Sequence, residues 1–412
     1  MINIYPFRAL LPPPEMAHRI ASPPYDVIST SEARGAAAGN PLSYLHVVRS
    51  EIDLPASMDA YDPAVYEKAA ANLQSMVDQG LLVESSQPAI FIYRQVFQGR
   101  AQSGVVCCYD VNQYRSGEIK KHEKTRPDKE DDRTRHMTTC SAHAEPVFLT
   151  FRKSQRLEQL INAESGGKPI FDLTAEDGVQ HSGWRVAQPE SFVEAFKELD
   201  ALYIADGHHR TAGAERAAAQ RQQANPQHTG EEQYNRVMAV IFPANQLRIL
   251  AYNRVVEDLN GLSESDFLQK LSELGSLEGT KRPVPTKAGQ FCLRTAGGWH
   301  QLTIPRDAID EGDPIGSLDV ALLQDRVLAP LLGVDDPRTD SRITFVGGIR
   351  GTEELDKLVD SGKAVAFSMF PTRVEQLLAV SDAGKIMPPK STWFEPKLRS
   401  GLFVHRFEPA TS

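Results

Sequence analysis

The residues best suited to chemistry stand together as Asp206-Gly207-His208-His209-Arg210, between the apolar run from Ala201 to Ala205 and an alanine-rich segment from Thr211 to Ala219. The apolar run has the length and content of a buried strand, and the alanine-rich segment is built from good helix formers. A helix start exposes N–H groups without intrahelical partners and the positive end of a dipole, so a phosphate is a natural ligand there. Gly207 lets the backbone approach an anion closely, Arg210 adds a fork of donors, and the imidazoles of His208 and His209 add more. Asp206 offers a base or a ligand for a divalent cation, and His209 a further catalytic group. The plainer alternative is a polar surface turn capped by Asp206.

A second group runs from Lys120 to Arg135, with seven Lys/Arg and five Asp/Glu. A run this polar reads first as a solvated helix face or a mobile loop. Its order carries more, because Glu123 stands inside the basic cluster Lys120, Lys121, Lys124 and Arg126. Such surroundings keep a carboxylate ionised and able to take a proton. Lys124 and Arg126 suit a transferred phosphate, and Asp128 is a hard oxygen donor of the kind Mg²⁺ takes. His122-Glu123 is not the H-E-x-x-H zinc motif, since Arg126 holds the place of the second histidine.

Two proline-stiffened segments complete the candidates. Pro23-Pro24 hold the backbone extended and aim Tyr25 and Asp26, which with His122 are the candidate substrate contacts. Near the C-terminus, Met387 to Lys397 presents Lys390, Ser391, Thr392 and Lys397 as donors to an anion. Each segment also reads as a rigid surface turn.

The elements that must position these groups alternate between strand and helix. Asp62 to Gln79 is an amphipathic helix, with Val65, Ala69, Leu73 and Val77 at four-residue spacing and Gly80 closing it. Strand-like runs cover 89–95, 104–111, 146–151, 237–242 and 247–252, and the apolar run 44–48 reads as a strand too. The stretch 172–186 reads as a hairpin. From about Glu257 the texture changes to a strand–helix–strand–helix alternation over 343–379. The fold class expected is therefore α/β with mixed sheets, with a core domain over 1–256 and a C-terminal α/β subdomain over 257–412.

The hydrophobic fraction of 41% and charged fraction of 24% are those of a globular protein. A net charge of -9 argues against nucleic acid as a partner. No apolar run approaches a membrane span, so no membrane partner is expected either. Cys107, Cys108, Cys140 and Cys292 form no C-x-x-C pair, which fits a reducing, cytoplasmic home. Small molecules are the expected partners, and a homodimer stays open as the assembly state.

Four stretches taken together, PPYDVI at 23–28, KHEKTRPDKEDDR at 121–133, IADGHHR at 204–210 and MPPKSTWFEPK at 387–397, closely resemble a widespread bacterial and archaeal family known as domain of unknown function 1015 (DUF1015). The resemblance covers essentially the whole chain, although Thr211 stands where many members carry an aromatic residue. Separately, the DGHHR segment is similar to the phosphate-binding segment of free serine kinases in the ParB/sulfiredoxin superfamily. That similarity implies a ParB/sulfiredoxin-like phosphate-binding core and a kinase that phosphorylates free L-serine, with pyrophosphate or a nucleotide (ADP or ATP) as donor. In such an enzyme Gly207, His208, His209 and Arg210, with Lys390, Ser391 and Thr392, would hold the donor. Glu123 would act as base, with Asp206 as the alternative base, and Asp128 and Asp206 would hold Mg²⁺. A nucleotide-binding regulatory protein without turnover and a metal-dependent phosphoester hydrolase are the competing expectations.

Overall fold

The structure, a computed structural model, describes residues 1–408. It is a mixed α/β fold, and the chain divides into two compact units. The first comprises Met1–Leu247 and the chain from Pro396 onward, and the second comprises Arg248–Glu395. The sequence placed a single boundary after residue 256. Two pairings explain the difference. Tyr252–Val256 is an inner strand of the second sheet, between Ile343–Gly347 and Val365–Met369. Val404–Arg406 returns to the first unit, between Ala9–Leu11 and Ala142–His143.

The main sheet of the first unit contains Ile4–Tyr5 (β1), Phe91–Phe97 (β2), Arg100–Asp110 (β3), Ile119–Lys120 (β4), Val147–Phe151 (β5), Phe171–Thr174 (β6), Gln180–Arg185 (β7), Leu202–Asp206 (β8) and Arg236–Pro243 (β9). Their spatial order is β4-β8-β5-β9-β3-β2-β7-β6, and β1 shares an edge of β3 with β2. β5 and β9 are buried along their whole length, as central strands covered on both faces must be. Val147, Leu149, Ile204, Val237, Ala239 and Ile241 form the middle of that core.

Three helices frame the candidate residues: Pro63–Asp78 (α1), Pro127–Cys140 (α2) and His208–Ala224 (α3). In α1 the side chains of Val65, Ala69, Leu73 and Met76 face inward, and Asp62 caps the start by accepting from Ala64 N at 2.9 Å. α2 is the second half of the highly charged stretch, yet Asp132, Arg133, Thr134 and His136 are buried. It crosses α3 at Gly213, where a Cβ would stand 2.9 Å from Arg133 Cβ. The glycine is what lets two backbones come this close. The apolar run 44–48 is helical over Leu45–Val48 rather than extended, a short run whose burial on all sides suits either form. Among the described residues no helix is long and apolar enough to cross a membrane.

In the second unit, Ser276–Gly279, Gln290–Thr295 and Gly298–Thr303 extend the sheet beyond Val365–Met369. Val255, Val346, Leu355, Val359 and Ala366 pack as its core.

Six histidines of the first unit, His122, His136, His143, His181, His208 and His405, are buried. Burial holds His136 at about 4, His181, His208 and His405 at about 3, and His122 and His143 well below the ordinary imidazole value. Each binds a proton in the unfolded chain below about pH 6.5 but not in the folded one, so stability is present above that pH and falls as the pH drops. At roughly 1.4 kcal/mol per proton and pH unit, the combined effect is steep. We expect the denaturant midpoint to be level from pH 8 to 7 and to collapse between about pH 6 and 4.5, an acid transition unlike that of a carboxylate-driven protein. A flat profile through that window would show that these imidazoles are not neutral in the fold.

Candidate functional site

β4 pairs in parallel with β8, Leu202 opposite Ile119 and Tyr203 opposite Lys120. The residues leaving β4, Lys121 to Arg126, therefore run beside the end of β8 and the first turn of α3. Gly207 makes the strand-to-helix junction with φ 91°, a left-handed conformation that suits glycine. A Cβ there would lie 3.0 Å from Arg210 Nε, so the arginine folds back against the turn itself.

Both histidines accept hydrogen bonds from the neighbouring segment. His208 Nε2 accepts from His122 N at 3.4 Å, and His209 Nε2 accepts from Arg126 N at 3.1 Å. The His122 and His208 rings meet edge to face at 4.5 Å. Because Nε2 of neutral His208 accepts, its proton sits on Nδ1, which faces Glu123 Oε2 at 3.7 Å. Glu123 itself is 40% exposed. A carboxylate open to solvent thus stands over a neutral imidazole N–H at the start of α3.

Asp206 and Arg210 organise the other side. Asp206 Oδ1 accepts from Gly207 N at 2.7 Å, and Oδ2 accepts from Lys397 Nζ at 2.7 Å. Burial pushes this carboxyl up, but Lys397 and Arg210 outweigh it and hold Asp206 well below the usual carboxylate range. Arg210 is only 4% exposed. Its Nη1 donates to Pro146 O at 2.5 Å, and its Nη2 lies 3.7 Å from Asp26 Oδ2 and 3.9 Å from Asp206 Oδ1. Burial alone would lower the Arg210 pKa, yet Asp26, Glu145 and Asp206 raise it.

Behind this row, buried Glu145 accepts from Tyr25 N at 3.1 Å and from Ser400 Oγ at 2.7 Å. Arg133 lies 3.9 Å from Glu145, pairs with Asp132 at 2.7 Å, and places its guanidinium carbon 3.8 Å from the Tyr25 ring centre. Tyr66 donates to Asp132 at 2.9 Å. Burial raises the Glu145 carboxyl, with Arg210 acting against it.

The fold thus gathers Tyr25, Asp26, His122, Glu123, Asp206, Gly207, His208, His209 and Arg210 at one junction. Several have parts other than those expected. Arg210 was expected to grip a phosphate; it is the buried counter-ion of carboxylates. His208 was expected in the same cradle and His122 at the substrate; both are buried, packed edge to face and tying the segment after β4 to α3. Arg126 makes its contact to His209 through the backbone, while its guanidinium pairs with Asp128 at 2.8 Å on the surface. Lys124 is exposed on the same segment.

Asp128 and Asp206, the residues expected to hold magnesium, are each paired with a cation. One is neutralised by Arg126 at the surface and the other by Lys397, and among the described residues no group of three His, Cys, Asp or Glu side chains could hold a metal ion. Lys390, Ser391 and Thr392 belong to the second unit. There Lys390 Nζ lies 5.6 Å from the Tyr252 ring centre, and Ser391 Oγ donates to Pro388 O at 2.6 Å.

Sequence reasoning missed Glu145 altogether. It sits among small and apolar neighbours in Ala142-His143-Ala144-Glu145-Pro146, and a lone carboxylate just before a buried strand is the signal that was available. Lys397 was visible as a donor in the last motif, but its partner Asp206 was not.

Replacing Arg210 with methionine should remove the shared cation while keeping an apolar stem. Leaving buried carboxylates without a partner typically costs about 3–5 kcal/mol. We expect Arg210→Met to lower the denaturant midpoint by that order, and Lys397→Met to lower it less, since Lys397 and Asp206 are 18% and 26% exposed. Equal midpoints for wild type and Arg210→Met would remove the arginine from its structural role.

No curated protein matches this sequence. Among solved structures, SbnI with a C-terminal truncation from Staphylococcus aureus is 12% identical over 74% of this chain and 90% of its own, with a TM-score of 0.42. A free serine kinase in complex with AMP is 11% identical over 71% of this chain and 86% of its own, with a TM-score of 0.35. A conserved hypothetical protein from Pyrococcus furiosus is 12% identical over 73% and 95%, with a TM-score of 0.34. The family model described as protein of unknown function (DUF1015) matches residues 4–321. With most of its length inside that match, this chain belongs to the DUF1015 family.

Proposed function

We propose that the protein is a phosphotransferase that phosphorylates the hydroxyl of a small metabolite, free L-serine, with pyrophosphate or a nucleotide as donor. The observation that carries this reading is Glu123, half-open to solvent and 3.7 Å from the Nδ1–H of neutral His208 at the first turn of a seventeen-residue helix. The similarity of the DGHHR segment to free serine kinases supports the same chemistry.

Phosphoryl transfer asks for alignment, charge neutralisation and a place for the hydroxyl proton. In this site the acceptor oxygen attacks the terminal phosphorus, the bond from that phosphorus to the donor's bridging oxygen breaks, and the hydroxyl proton passes to Glu123. His208 turns its Nδ1–H toward the Glu123 carboxylate, 3.7 Å away, without charge of its own. The exposed cations Lys124 and Arg126, with the amides of the first turn of α3, face the phosphates. Asp206 is kept ionised by Lys397 and Arg210 and is the second candidate base. No step is routed through a protein-bound metal, because Asp128 and Asp206 are already paired with Arg126 and Lys397.

The test is direct detection of phosphoserine from purified protein, L-serine and Mg²⁺ with pyrophosphate, ADP or ATP in separate reactions. Glu123→Gln keeps the shape and should lower the rate by roughly 10²- to 10⁴-fold, with donor affinity by calorimetry little changed. Full activity in that variant would pass the role to Asp206. Nucleotide binding without phosphoserine from any donor would favour a nucleotide-responsive regulatory protein.

A further inference from the structure

The charged groups joined through Arg210 and Arg133 do not balance. Asp26, Asp132, Glu145 and Asp206 supply four carboxylates, against the three cations Arg133, Arg210 and Lys397. The cations are spread thin. Arg210 Nη2 is shared between Asp26 and Asp206 at 3.7 and 3.9 Å, beyond hydrogen-bond reach of either. Among the described residues no donor stands within hydrogen-bond distance of the Asp26 carboxylate, which is 34% exposed. One donor in the cluster also lacks an acceptor. The Nε–H of Arg210 has no hydrogen-bond partner, although the side chain is 4% exposed.

A buried donor without an acceptor and a partly exposed carboxylate without a hydrogen-bonded cation are each unfavourable alone. Together they describe a cluster that lacks one cation and one acceptor oxygen, on the same guanidinium. An inorganic phosphate supplies the acceptor but adds negative charge where carboxylates already exceed cations. A simple amine supplies the cation but leaves Nε–H unmet. A zwitterion supplies both.

We propose that the Asp26–Arg210–Asp206 row binds an α-amino acid, its ammonium on Asp26 and its carboxylate toward Arg210 Nε. The phosphates then belong on the opposite, basic side, with Lys124 and Arg126. The assignment rests on the phosphotransferase reading for its meaning, since it makes the acceptor a hydroxy amino acid rather than a hydroxy acid or an amino alcohol. The binding claim can be measured without turnover.

The experiment is calorimetry on the full chain with three probes that differ by one group: L-serine, D-glycerate, which lacks the ammonium, and ethanolamine, which lacks the carboxylate. L-serine should bind about tenfold or more tighter than either, the worth of one charge-assisted contact. Asp26→Asn should weaken L-serine by about the same factor while leaving pyrophosphate and ADP binding unchanged. Equal affinity for L-serine and D-glycerate, no binding of any probe, or full L-serine affinity in a folded Asp26→Asn protein would each overturn the proposal. The wild-type probe series decides the matter even if the variant does not fold. L-serine binding without phosphoserine would keep the amino-acid site and remove the kinase, whereas phosphorylation of D-glycerate in preference to L-serine would keep the kinase and remove the site.

Discussion

A guanidinium taken out of water is stable only where oxygens replace its hydration. Arg210 meets most of that requirement with groups from three places in the sequence: Asp26, the adjacent Glu145 and Pro146 carbonyl, and Asp206. The rest of the first unit's junction follows. Once Arg210 is held, Asp206 points at Lys397, Glu145 receives Tyr25 N and Ser400 Oγ, and Arg133 closes the row against Asp132 and the Tyr25 ring. Three of the four stretches that stood out in the sequence, with Lys397 from the fourth, meet in one network of charge.

The imidazoles do a different job from the arginine. His208 and His209 use their Nε2 atoms as acceptors for backbone N–H groups of the segment after β4, which has no strand partner beyond Lys120 on that side. A neutral imidazole can replace a β-ladder carbonyl there because it presents one acceptor and one donor on opposite edges. The acceptor edge fixes the backbone, and on His208 the donor edge faces Glu123. Positioning the segment and orienting the carboxylate are thus one arrangement, and a protonated ring could perform neither through that acceptor.

Much of this frame was legible in the sequence. The junction at Gly207 could be read from an apolar run, a glycine and an alanine-rich segment, and α1 from its four-residue spacing and Asp62. The parts played by Arg210, His208 and His122 could not. Local sequence places a residue on an element, but whether its charge meets solvent or a distant carboxylate depends on which strands become neighbours. The charged stretch shows this well: its polarity suggested a solvated face, yet Asp132 and Arg133 are buried because Tyr66, Glu145 and Tyr25 complete them. The run 44–48 failed for the opposite reason. A short apolar segment carries no period that separates strand from helix.

The return of Val404–Arg406 between Ala9–Leu11 and Ala142–His143 has a bearing on biosynthesis. A growing chain emerges from the ribosome N-terminus first, and its domains ordinarily close as they appear. Here the first unit cannot: Ala9–Leu11 waits for a neighbour made only after the second unit, and Asp206 waits for the ammonium of Lys397 from the same late segment. The whole second unit is synthesised in the interval, while that strand edge stays unpaired. Newly made chains truncated before Pro396 would therefore carry every residue of the DGHHR segment and still lack a finished site.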